Sequence, residues 1–169
     1  MTTMSKLLLS LTTAAIMMLV LMANQAPSAM SDSIKAPQFT LENNLNEAIS
    51  LADFHGKPVI LHFWATWCPY CKRLQPGLEQ LRLRHQDSDL VILGISILEE
   101  EGAEPAAVLK QNDINFMTLL EGDKVAQLYE VQGTPTTVFI NRNGEIVWKT
   151  SVSDPFDPDI SKAAEFILQ

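Results

Sequence analysis

A chain of 169 residues with 47% apolar and 19% charged side chains has room for one globular domain with a substantial core. Its 20 acidic residues outnumber 12 basic ones, for a net charge of −8, which excludes nucleic acid as a partner, because phosphate neutralisation needs clustered Lys and Arg. The two cysteines lie three positions apart, whereas a secreted disulfide scaffold needs several at wide spacing.

The N-terminus reads as a targeting segment. Lys6 precedes residues 7–23, a stretch of 17 without a charge, long for a signal-peptide core and at the short limit for a spanning helix. Residues 24–29 are small and polar but lack a clean Ala-x-Ala. Residues 1–29 are therefore expected to be a signal peptide or a retained N-terminal membrane anchor. Lys6 favours a cytoplasmic N-terminus and export of the rest, which gives a periplasmic location, soluble or anchored.

Residues 30–36 read as a linker. Residues 37–41 alternate like a strand, Asn43-Asn44 forms a turn, and a second short strand follows near residues 47–50. Residues 51–54 suit a helical turn closed by Gly56. The run Val59-Ile60-Leu61-His62-Phe63-Trp64 is almost wholly apolar and suits a central strand covered on both faces. From Pro69 to Arg84 the residues Leu74, Leu78, Leu81 and Leu83 recur at helical spacing, with Pro76 expected to kink the helix. Residues 89–97 form another buried strand, followed by the acidic loop Glu99-Glu100-Glu101, read as solvated. A helix over residues 103–112, a strand over 116–120 and a helix over 123–129 capped by Asp123 come next. Residues 136–140 and 145–149 form a hairpin. The chain ends in a helix with Asp157 as N-cap and Phe166 and Ile167 facing inward. This order predicts an α/β fold with a central mixed sheet flanked by helices.

Cys68-Pro69-Tyr70-Cys71 falls where the central strand gives way to the first long helix. Cys68 then sits at a helix N-terminus, where free N–H groups and the dipole stabilise a thiolate. Cys71, one turn on, is placed to resolve a mixed disulfide. Cys68 is thus expected to be solvent-exposed, with a depressed pKa. A zinc site needs two more ligands from His55, His62 and His85, which have no motif spacing, so no metal is assigned. Copper delivery by the two thiols and a histidine is an alternative. A purely structural bridge explains little, since so small a loop offers little entropic stabilisation.

Phe63-Trp64-Ala65-Thr66-Trp67-Cys68-Pro69-Tyr70-Cys71-Lys72 resembles the active-site segment of thioredoxin-like proteins, and Gly133-Thr134-Pro135-Thr136-Thr137-Val138-Phe139-Ile140 is similar to their cis-proline segment. The N-terminal hairpin, an inserted αβ unit over residues 103–129 and the export signal are similar to the exported TlpA/ResA-type branch, with residues 36–169 as the thioredoxin-like domain. The resemblance implies Cys68 as attacking and Cys71 as resolving cysteine, with the Thr134–Pro135 bond cis beside them. It further implies substrate docking by Trp67, Pro69, Tyr70, Thr134 and Pro135, and no cofactor beyond the Cys68–Cys71 disulfide. A peroxiredoxin pattern does not fit, since Thr66 stands two residues before Cys68 instead of three.

Two positions depart from the family. His62 stands where thioredoxins place a buried aspartate, which makes it a possible proton relay, although burial pushes a histidine toward neutrality. Leu74 replaces a glutamate found in many TlpA/ResA-type members. The expected function is reduction of disulfides in exported clients, apocytochrome c among them, with electrons from a membrane thiol transporter. A disulfide oxidase or isomerase using the same dithiol, and a copper-binding chaperone, are the alternatives.

Overall fold

The structure is a computed structural model that describes residues 34–169. The targeting segment expected over residues 1–29 lies outside them. The elements run β1 (Ile34–Lys35), β2 (Thr40–Glu42), β3 (Ala48–Ser50), a 3-10 turn (Leu51–Phe54), β4 (Val59–Trp64), α1 (Pro69–Arg84), β5 (Val91–Ser96), α2 (Pro105–Gln111), β6 (Met117–Leu119), α3 (Asp123–Leu128), β7 (Thr136–Ile140), β8 (Glu145–Thr150) and α4 (Pro158–Leu168).

Six strands form one sheet in the order β1-β8-β7-β4-β5-β6. The strand β4 is parallel to β5 and antiparallel to β7, so the sheet is mixed. All six residues of β4 are buried, as expected of a strand covered on both faces. Alternate side chains divide between two cores. Ile60 and Trp64 join Cys71, Leu74, Leu78 and Leu81 of α1 and Ile160, Ala164 and Ile167 of α4. Val59, Leu61 and Phe63 join Phe39, Leu51, Val125 and Tyr129. Among the described residues no helix is long and apolar enough to cross a membrane.

The inserted unit is present as α2 and β6, with β6 parallel to β5 at the sheet edge. The hairpin β2–β3 covers that edge: Asn43 bridges Leu119, and Leu120 N–H donates to Glu42 O at 2.8 Å. Its turn is fastened by the Asn43 side-chain oxygen, which accepts from the Leu45 and Glu47 amides. Gly94 in β5 is demanded by close approach. A Cβ there would lie 2.9 Å from Trp64 Nε1, because the indole crosses over it to donate to Thr118 Oγ1.

Several expectations need correction. Residues 34–35 are not linker but an edge strand, since their backbone pairs with β8 at Ile146 and Glu145. Asp123 does not cap α3; its carboxylate accepts from Leu98 N–H at 3.0 Å instead, and Gly122 takes the N-cap position. Leu83 and Phe166 are exposed, because the inward stripes of α1 and α4 are already filled by Leu78 and Leu81 and by Ile160, Ala164 and Ile167. Asp157 caps α4 as expected, accepting from Asp159 N–H.

Candidate active site

The strand β4 ends at Trp64, and the chain turns over residues 65–68, with Cys68 N–H donating to Ala65 O at 3.1 Å. Cys68 is the N-cap of α1, in extended backbone geometry, with Pro69 opening the helix. Its Sγ accepts a hydrogen bond from Cys71 N–H at 3.1 Å, as a capping serine oxygen does. Cys68 and Cys71 are joined by a disulfide, with Cα atoms 5.3 Å apart. A thiolate released at Cys68 on reduction inherits that amide and the positive end of the helix dipole.

The expected solvent exposure of Cys68 is not met in this oxidised state: only 2% of the residue is accessible, and Cys71 is fully buried. Cys68 packs in the α1-side core with Trp64, Ala65 and Cys71. Trp67 and Tyr70 form a rim, 51% and 59% exposed, with Pro69 exposed between them.

The cis-proline segment reaches the same end of the sheet. Thr136, the first residue of β7, lies opposite Phe63, so Pro135 falls beside the Trp64 end of β4, from which the cysteine turn departs. The Thr134–Pro135 bond is cis. Pro135 is buried and Thr134 half-buried, and Thr136 Oγ1 donates to Gly133 O at 2.7 Å, tying the loop down.

His62 lies two residues before Trp64, so alternation along β4 turns it to the α1 face of the sheet. It is fully buried, and burial pushes its pKa down to about 3, leaving the imidazole neutral. Nδ1 lies 3.3 Å from Thr137 Oγ1, and the ring packs edge-on to Phe116. Leu74, in place of a carboxylate, is fully buried in the same core.

Sequence reasoning missed Glu99. Its carboxylate accepts from Thr66 N–H (2.9 and 3.1 Å), from Thr66 Oγ1 (2.5 Å) and from Ser96 Oγ (2.6 Å). Its neighbour Leu98 accepts from the Trp67 indole N–H at 2.7 Å. The first residue of the acidic run is therefore a clamp on the cysteine turn, not a solvated charge. The register supplies the cause: Ser96 pairs with Trp64, so the end of β5 delivers Glu99 alongside the turn after β4. Thr66 Oγ1, engaged with Glu99, is not directed at Cys68 as peroxide chemistry would require. We expect Glu99→Ala to strip Thr66 and buried Ser96 of their acceptor and destabilise the fold by about 1–3 kcal/mol, read as a lower urea midpoint, with Glu99→Gln falling between.

Residues 33–149 match the AhpC/TSA family. The chain belongs to that family. Among its curated relatives, the thiol-disulfide oxidoreductase ResA of Bacillus subtilis (strain 168) is 32% identical over 120 residues, covering 70% of this chain and 66% of the relative. The ResA of Geobacillus kaustophilus (strain HTA426) is 31% identical over 121 residues, covering 70% and 68%. The chain thus spans about two thirds of the length of these relatives. A solved thiol:disulfide interchange protein of the thioredoxin family from Chlorobium tepidum TLS superposes with a TM-score of 0.72 at 20% identity, covering 83% of this chain and all of that one. The likeness establishes the thioredoxin-like fold for this member of the AhpC/TSA family.

Proposed function

We propose that this chain is an exported protein-disulfide oxidoreductase that reduces client disulfides through Cys68 and Cys71. The observation that carries the reading is the dithiol at the mouth of α1, with Cys71 N–H held on Cys68 Sγ. In the reduced protein the Cys68 thiolate attacks a client disulfide, forming a Cys68–client bond and expelling one client thiolate. Cys71 then loses its proton and attacks Cys68 Sγ, expelling the second client sulfur and restoring the Cys68–Cys71 disulfide. Two electrons pass from the protein dithiol to the client, and the two client thiolates take up two protons.

Trp67, Pro69 and Tyr70 give an extended client segment an apolar rim to rest on. The backbone before cis Pro135 offers it hydrogen bonds in the manner of an added strand. The uncharged N-terminal stretch supports export to the periplasm, and the names of the relatives support thiol–disulfide exchange. Apocytochrome c as a client class and a membrane thiol transporter as the electron source rest on the family resemblance of the two motifs.

The test is an insulin-reduction assay combined with the reduction potential of the pair. We expect turnover, and a potential between about −270 mV, the thioredoxin value, and about −200 mV, the glutaredoxin limit. A value above about −150 mV places the protein with oxidants such as DsbA and reverses the proposed direction. Tight Cu(I) binding without turnover supports the copper-chaperone alternative.

A further inference from the structure

The cis-proline loop begins where α3 ends, and that end closes without a glycine. Tyr129 is the C-cap of α3. Beyond it, Glu130 N–H donates to Gln127 O at 3.0 Å and Val131 N–H to Ala126 O at 2.9 Å. This pair of bonds is the helix closure that usually places glycine at its left-handed position. Glu130 occupies that position instead, with φ of 51°, a conformation that a side chain with a Cβ disfavours. A turn built this way gains from a hold outside the helix.

Lys149 supplies one. It stands in β8 directly opposite Val138, and cross-strand partners share a face of the sheet. Val138 belongs to the core that contains Val125, Ala126 and Tyr129, so Lys149 is turned toward α3. Its Nζ donates to Tyr129 O at 3.2 Å and to Glu130 O at 3.4 Å. Carbonyls at the end of a helix lack intrahelical donors, and the dipole there favours a positive charge. Glu130 O accepts as well from Gln132 Nε2, at 3.5 Å. Tyr129 is pinned from another side: its ring packs near Phe39 and Phe63, and its hydroxyl donates to Pro37 O at 2.8 Å.

Only residues 131–134 separate this turn from Pro135. Gln132 and Gly133 are exposed, and the far end is tied by Thr136 Oγ1 on Gly133 O. With so few rotatable bonds between the two ties, a displacement at Glu130 is passed on to Thr134.

We propose that Lys149 is a positioning residue for client docking: by fastening the Tyr129 and Glu130 carbonyls it fixes the entry of the cis-proline loop, and so holds the Thr134 backbone ready to pair with a client strand. Lys149 makes and breaks no covalent bond and acts on neither cysteine. Its contribution is to remove, before the client arrives, conformational freedom that the loop would otherwise lose on binding. The inference rests on the reading of Thr134 and Pro135 as the docking edge of a disulfide reductase.

The test is stopped-flow oxidation of the reduced protein by excess insulin, followed by tryptophan fluorescence, beside dithiodipyridine, a disulfide too small to pair as a strand. Lys149→Met is expected to raise the half-saturating insulin concentration about tenfold, the worth of one hydrogen bond from a charged group, and to leave the limiting rate and the dithiodipyridine rate unchanged. Lys149→Arg, which still carries donors for both carbonyls, is expected to stay within about twofold of wild type. Glu130→Gly relieves the disfavoured conformation, so in that background Lys149→Met should cost about twofold or less. Lys149→Gln stands in for the methionine variant should that one misfold.

A half-saturating concentration equal to that of wild type overturns the proposal. So does equal slowing with insulin and dithiodipyridine, which marks a general loss of structure. A tenfold penalty that persists beside Glu130→Gly overturns it too, because Lys149 would then act elsewhere than on this turn. If the wild-type protein reacts with neither disulfide, the oxidoreductase reading itself fails and the inference falls with it. If the wild type reacts with both and the variants follow it, only the role of Lys149 is refuted.

Discussion

Replacing Cys71 with alanine is expected to turn a transient intermediate into a stable product. Cys68 keeps its helix-terminal position and still attacks client disulfides, because the dipole and the first-turn amides belong to α1 and not to the Cys71 side chain. Nothing remains within the protein to displace the client. A Cys68-linked mixed disulfide should therefore accumulate, visible on a non-reducing gel and abolished by dithiothreitol. Turnover with insulin should fall by about three orders of magnitude or more, as when an acting nucleophile is removed from a paired unit. The Cys68→Ser variant should lose both turnover and adduct. Adducts that form equally well in Cys68→Ser would assign first attack to the wrong sulfur.

A second large effect concerns acid. Burial holds the His62 pKa at about 3, while in the unfolded chain it returns to about 6.5. A lowered folded value means that below about pH 6.5 the unfolded state binds a proton that the folded state refuses. The stabilising contribution is present in full above that pH and fades as pH falls from 6.5 towards 3. Its full size is up to about 5 kcal/mol at 1.36 kcal/mol per unit, comparable with the whole stability of many domains. Urea midpoints of wild type and His62→Leu, measured from pH 7.5 to pH 4, should show the wild type losing stability more steeply. Parallel curves would mean that the imidazole is not kept neutral by the core.

Where one residue type had one plausible place, the fold could be read from the sequence. The almost wholly apolar run of β4 had to be central, the β7–β8 hairpin was unambiguous, and the cysteine pair marked the strand-to-helix junction. Other features depend on register and neighbours. Three adjacent glutamates look alike in the sequence, and only the Trp64–Ser96 pairing singles out Glu99. Gln75 reads as a polar surface residue of a helix until the packing shows it buried without a partner. Ile34 and Lys35 look like linker because two residues carry no periodicity; their strand character comes from the exposed edge of β8. The accessibility of Cys68 failed as an expectation because a helix N-terminus reads as open to solvent, whereas Cys68 packs into the α1-side core.

The reactive state of Cys68 is the hinge of the account, and the pH dependence of its alkylation by iodoacetamide, followed by mass spectrometry in the reduced protein, tests it most directly. Cys68 should be modified well before Cys71, with a midpoint clearly below about 8.5, the value of an unperturbed cysteine. A midpoint at or above that value, or equal modification of both thiols, would contradict a nucleophile prepared by the start of α1.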